Sequence, residues 1–283
     1  MFNPKNLKRV IGGLVVLLVA ATACSSAPTD VESGAPPETT AVVLKVSGSG
    51  STTSLLQAVA PEFEADTPGY KLEALTGTGS GGGVQGVIEG VLDVGAMARP
   101  PKEEELEVAP DLQYVEFGQG AVALFNHPDV DVANLSSAQA VGILSGEITN
   151  WSEVGGPNSD IILYVRDEAD TSTKSIRGAF FGEAPFPDMA QVVTSQGAME
   201  TAVQGTPDSI GFGAWVSVLA SNTEAQGLGL DGTAPGDTNY PITKPLGITY
   251  LAERQADVQP LIDWLLSERG QAVLQEYDVI TPQ

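Results

Sequence analysis

The chain has 283 residues, 42% of them hydrophobic, and carries 13 Lys and Arg against 36 Asp and Glu, a net charge of −23. That balance excludes nucleic acid as a partner, because phosphate backbones need a basic footprint. The single cysteine cannot form an internal disulfide, so the fold must rest on its core.

Lys5, Lys8 and Arg9 form a basic leader, and Val10 to Ala21 is an apolar run too short to span a bilayer comfortably. Ala21-Thr-Ala-Cys24 follows. The pattern resembles a bacterial lipoprotein signal, with residues 1–23 removed and Cys24 acylated; an ordinary cleaved signal with a chance cysteine is the alternative. Residues 24–41, rich in Pro, Ser, Thr and acids, read as a flexible tether. Removing residues 1–23 takes three cations and no acid, leaving ten cations against 36 acids, hence −26.

From Val42 onward, short apolar runs alternate with helical patterns, which argues an α/β fold. Val42 to Val46 reads as a strand, Thr53 to Asp66 as a helix and Tyr70 to Leu75 as a strand. Gly83 to Gly90 reads as a helix and Leu92 to Ala96 as a buried strand. Leu112 to Phe117 and Ala121 to Asn126 read as two strands joined by Gly118-Gln119-Gly120. A serine-capped helix over Ser136 to Ser145 and a strand over Ile161 to Val165 follow. Then come a helix over Gly197 to Gln204, a strand over Ile210 to Ala214, a loop over Asp231 to Thr243 and a strand over Ile248 to Leu251. An amphipathic helix over Gln259 to Tyr277 closes the chain.

Three loops stand out. In Ser47-Gly-Ser-Gly-Ser-Thr-Thr53, Ser51 or Thr52 is a candidate helix cap, with free N–H groups and the positive helix end left for a ligand; a plain N-cap is the alternative. Thr76-Gly-Thr-Gly-Ser-Gly-Gly-Gly83 matches G-x-G-x-x-G, but position 97 is Met where a dinucleotide fold wants an acid, and no Lys-Ser/Thr makes a P-loop. What remains is a backbone nest for an anion. In Val165-Arg-Asp-Glu-Ala-Asp-Thr-Ser-Thr-Lys174, a guanidinium ends a buried strand just before a hydroxyl-rich helix start, a combination that holds oxyanions. Asp167, Glu168 and Asp170 either orient Arg166 and accept a proton from the oxyanion, or lie on a solvated turn. Arg99 is either a ligand cation or a partner of Glu103 to Glu105. The sole histidine, His127, has no metal-ligating neighbour in sequence, and Trp151, Trp215 and Trp264 read as packing residues.

These loops, in this order, resemble the phosphate-binding branch of bacterial periplasmic solute receptors. The likeness covers nearly everything from Val42 on. It is carried by Gly-Ser-Gly-Ser-Thr-Thr (48–53), Gly-Ser-Gly-Gly-Gly-Val (79–84), Gly-Glu-Ile-Thr-Asn-Trp-Ser-Glu-Val-Gly-Gly (146–156), Arg166 with its turn, and Leu-Leu-Ser-Glu-Arg-Gly-Gln (265–271). The resemblance implies a type II periplasmic binding fold, with mixed sheets flanked by helices. Lobe 1 would be 42–117 plus 243–283 and lobe 2 118–242, with the ligand cleft between them.

Carried over residue by residue, the likeness implies contacts from Thr52, the N–H of Thr53, Ser80, Gly81 and Arg166, although the family's hydroxyl position falls on Gly81. Ser51, Thr171 and Ser172 in the same hydroxyl-rich loops are further candidate contacts. Two further departures accompany it. Asp170 stands where the family has a serine. Ala98 stands where the family has the aspartate that accepts a proton from phosphate, with Arg99 next to it. Either the acceptor has moved to Asp170 while Arg99 adds a cation, or the ligand has changed.

The expected function is a monomeric, lipid-anchored binding protein without cofactor or catalytic activity. It delivers an inorganic oxyanion, phosphate first, to an ABC permease. A binding protein for another anion, or a surface sensor of the same fold, is the alternative. An enzyme such as a phosphatase is the third reading, and the chain offers no metal cluster or activated nucleophile in sequence to support it.

Overall fold

The computed structural model describes residues 41–221 and 223–281. The expected signal segment, Cys24 and the tether up to residue 40 lie outside the described residues. In chain order, β1 (Val42–Gly48), α1 (Gly50–Asp66), β2 (Tyr70–Ala74), α2 (Gly79–Ile88), β3 (Val94–Met97) and α3 (Glu103–Val108) lead to the long β4 (Leu112–Asn126). Next come β5 (Asn134–Leu135), α4 (Ser137–Ser145), β6 (Ile162–Arg166), α5 (Thr171–Ile176), β7 (Gln191–Val193), α6 (Gln196–Gly205), β8 (Ser209–Ala214) and α7 (Trp215–Ala220). The chain ends with β9 (Gln226–Gly227), β10 (Gly229–Leu230), β11 (Thr243–Leu251), α8 (Gln255–Leu266) and α9 (Glu268–Gln275).

One sheet carries the strand order β2-β1-β3-β11-β4-β8-β6-β7, with β9 paired to β4. β1 is parallel to β2 and β3, and β6 is parallel to β7 and β8. Between these parallel sets run β4 and β11, with the whole of β11 antiparallel to the first two thirds of β4 and the rest of β4 antiparallel to β8. Of the two larger clusters of buried apolar side chains, one draws on residues 121–242, among them Phe125, Trp151 and Phe212. The other gathers Leu44, Leu55, Phe63, Phe117, Ile248 and Leu261 with Ala214 and Val216. Each such buried side chain stabilises the fold by roughly 1.5–3 kcal/mol. β4 feeds both clusters, Phe117 into one and Ala121 to Phe125 into the other.

Local chemistry explains where the structure departs from the sequence expectations. The two strands expected around Gly118-Gln119-Gly120 are one continuous strand. Gly118 is there for close approach, since a Cβ would lie 2.5 Å from Val279 Cγ1. The last strand begins at Thr243 rather than Ile248, because β11 pairs with β4 from Thr243 opposite Ala121 onward. The single closing helix is two: Ser267 adopts an extended backbone, and its hydroxyl accepts from the Gly270 N–H to cap α9.

α1 starts at Gly50, earlier than expected, so Ser51 and Thr52 sit inside the first turn and Ser49 is the N-cap. Gly48 precedes it at φ +146°, where a Cβ would fall 2.2 Å from the Ala96 carbonyl oxygen. α2 begins at Gly79 because the loop before it is pinned, with Thr78 N–H donating to Gly48 O (2.9 Å) and Ser47 Oγ to Thr76 O (2.6 Å). Trp151, Trp215 and Trp264 are all buried, and their indole N–H groups donate to Asp208 O, Asp278 and Asp66 respectively. They are packing residues.

Candidate functional site

The carboxyl ends of the parallel strands are where an α/β sheet leaves room for ligands. Here the segments following β1, β2, β3, β6 and β7, together with the start of β11, line a cavity of about 700 Å³. Ser49 to Ser51 come from the turn into α1, and Gly77 to Gly81 from the turn into α2. Arg99 and Lys102 follow β3. Arg166 and residues 169–172 with Lys174 come from β6 and α5, Thr194 and Gln196 from the turn into α6, and Lys244 from β11.

Of the residues expected from sequence, Ser51, Ser80, Gly81, Arg99, Arg166, Asp170, Thr171 and Ser172 all line this cavity. Thr52 and Thr53 do not. The Thr52 hydroxyl is fully buried and donates to Met97 O at 2.8 Å, fastening α1 to β3. The Thr53 N–H closes the first helical turn on Ser49 O at 2.8 Å, so it is not free for an anion. Ser51 Oγ lies 3.0 Å from Ser49 Oγ. Ser80 Oγ accepts from the Ala98 N–H at 3.0 Å, which leaves its own proton to donate.

The Arg166 side chain is only 10% exposed, and its Nη2 lies 2.8 Å from Asp170 Oδ2. Arg166 Nε is buried without a partner among the described residues. Asp170 is the N-cap of α5: Oδ1 accepts from Ser172 N–H (2.8 Å) and Thr173 N–H (3.1 Å). A carboxylate offers about four acceptor positions. Both positions of Oδ1 are filled here and Oδ2 is ion-paired with Arg166, so a further hydrogen bond to Asp170 must reach Oδ2. The other acids of that turn point elsewhere: Asp167 accepts from the Ala169 and Asp170 N–H groups, and Glu168 pairs with Arg177.

Arg99 makes a two-pronged ion pair with Glu105, at 2.8 and 2.7 Å. That hydrogen bonding holds Glu105 below the ordinary carboxylate range and Arg99 above its usual value. Of the two alternatives raised by the sequence, the structure shows the pairing with Glu105; Arg99 also lines the cavity.

Sequence reasoning missed Lys244. It is 7% exposed, and burial pushes its ammonium down to about 8, with Asp170 opposing the shift and Arg166 adding to it. The one available signal was a lysine entering the apolar run that ends at Leu251. Gln196 was also missed; it accepts from Ala214 N–H and donates to Glu200.

A model of the PBP superfamily domain matches residues 33–269. The chain belongs to the PBP superfamily. It is 26% identical over 268 residues to the phosphate-binding protein PstS of Bacillus subtilis, covering 90% of this chain and 87% of that protein. It is 27% identical over 215 residues to the PstS of Borreliella burgdorferi, covering 70% of this chain and 75% of that one. Among solved structures, a Clostridium perfringens substrate-binding protein assigned to a phosphate ABC transporter, with phosphate bound, superposes with a TM-score of 0.70 at 26% identity. That match covers 85% of this chain and 100% of the other. The mixed α/β architecture is thus the periplasmic binding fold expected from sequence.

Proposed function

We propose that this chain is the substrate-binding protein of an ABC transporter and that it captures inorganic phosphate in the cavity described above. The observation that carries this is charge placement. Five of the ten cations beyond residue 40 (Arg99, Lys102, Arg166, Lys174 and Lys244) line one cavity of a chain with 36 acids. Three of them are paired with adjacent acids, which leaves Lys174 and Lys244 as surplus positive charge. Screening over about 8–10 Å lets that surplus outweigh the distant acidic surface. The names of the Bacillus, Borreliella and Clostridium relatives support phosphate over other oxyanions.

In this reading Arg166 and Lys244 attract the anion, and Ser80 Oγ and the free amides at the starts of α1 and α2 donate to its oxygens. Asp170 Oδ2 accepts the proton that phosphate retains near neutral pH, doing what Ala98 cannot. Residues 42–117 with 243–283 form one lobe and 118–242 the other, and their closure over the anion signals the loaded state to the permease. Cys24 carries the lipid that holds the monomer at the membrane.

Equilibrium dialysis of the ligand-stripped protein against radiolabelled phosphate tests the reading. Label retained against a large excess of sulfate and displaced by unlabelled phosphate is expected; label displaced equally by sulfate contradicts it.

A further inference from the structure

Four of the five cations around the cavity are either neutralised or solvated. Arg99 is paired with Glu105, Lys102 with Glu104 and Arg166 with Asp170, while Lys174 is exposed. Lys244 is different. Its side chain is buried on β11, it lines the cavity, and it forms no ion pair or hydrogen bond with any described residue. Burying an ammonium without a partner is costly, and a neutral side chain of the same length would remove that cost. A site that keeps such a charge has a use for it when a counter-charge arrives.

We propose that Lys244 is a direct ligand contact, the unneutralised buried cation that takes one oxygen of the bound oxyanion. This rests on the oxyanion reading above and adds a residue from β11 to a site otherwise built from the turns after parallel strands. The neighbouring charges fit the role. Asp170 at the start of α5 and Arg166 at the end of β6 form a pair whose net charge is zero, so a dianion placed among the three meets the surplus charge of Lys244. The depressed proton affinity of its ammonium agrees with a group that lacks its counter-ion in the free protein.

Two measurements decide it. In calorimetric titrations with inorganic phosphate, Lys244→Met should weaken binding by about 30-fold or more, the scale of losing one desolvated charge contact. In the wild-type protein, nitrogen-15 NMR of the lysine ammonium groups should show the Lys244 signal, identified by its absence in Lys244→Arg, shifting with phosphate and saturating in step with the calorimetric isotherm. The NMR arm does not depend on the methionine variant folding. An affinity unchanged in Lys244→Met, or a Lys244 signal that stays still while phosphate saturates the protein, overturns the assignment and leaves phosphate binding intact. No phosphate binding by the wild type overturns both.

Discussion

The carboxylate of Asp170 joins two structures at once: Oδ2 lies 2.8 Å from Arg166 Nη2, while Oδ1 accepts from the Ser172 and Thr173 amides at the head of α5. An arginine at the end of a strand and a helix start are the two features that most often hold an oxyanion, and here an internal carboxylate already sits against both. In the proposed reading an incoming anion shares Arg166 with Asp170, and that shapes which anions are accepted.

Sulfate carries no proton near neutral pH, so beside Asp170 it meets only repulsion, whereas phosphate can donate its proton to Oδ2. Asp170→Asn keeps an oxygen for the α5 cap but removes the charge. The ratio of phosphate to sulfate affinity should fall by at least about tenfold, the worth of one hydrogen bond to a charged group. Parallel titrations of the two anions read this out. An unchanged ratio would show that Asp170 serves only α5 and Arg166.

Ser80 should matter to the fold as well as to the ligand. Its hydroxyl satisfies the Ala98 N–H in a buried setting, so Ser80→Ala leaves that donor unpaired at a cost of about 1–3 kcal/mol. Urea unfolding at fixed pH measures the loss. A midpoint within error of the wild type would mean that the Ala98 amide finds another acceptor.

The site was legible in sequence to the extent that it is local. Arg166, Asp170, Thr171 and Ser172 sit within one turn, where a strand end and a helix start dictate each other, and Ser80, Gly81 and Arg99 are likewise fixed by their own strand–helix junctions. Lys244 was not legible, because its place depends on β11 pairing with β4, with Lys244 opposite Gly120, a contact between distant parts of the chain. Thr52 and Thr53 misled for a related reason. Helical phase decides which hydroxyls face the cavity, and α1 begins at Gly50, which turns Thr52 toward Met97. Glycines misled at 118–120, where close packing of Gly118 on Val279 and of Gly120 on Leu246 outweighs their preference for turns, and at 79–82, where α2 already begins at Gly79.

Lys244 also gives stability a pH signature. Its ammonium is held near 8 in the folded protein against an ordinary value of 10.5, so the folded state binds that proton less tightly than the unfolded chain does. The penalty is therefore complete below pH 8 and is relieved as pH rises from about 8 to 10.5. Lys244→Met should accordingly stabilise the ligand-free protein at pH 7, on the order of 3 kcal/mol from the size of the shift. Its advantage over wild type should shrink above pH 8. Thermal unfolding of both proteins across pH 6–10 checks this, and a variant less stable than wild type at pH 7 would contradict it.

The most direct test of the account is calorimetric titration of the ligand-stripped protein with phosphate at pH 7, with sulfate, molybdate and a phosphonate run alongside. One phosphate per chain, bound with a dissociation constant in the micromolar range or tighter and in clear preference to sulfate, is the predicted result. No heat with phosphate, or tighter binding of another of these anions, would contradict it.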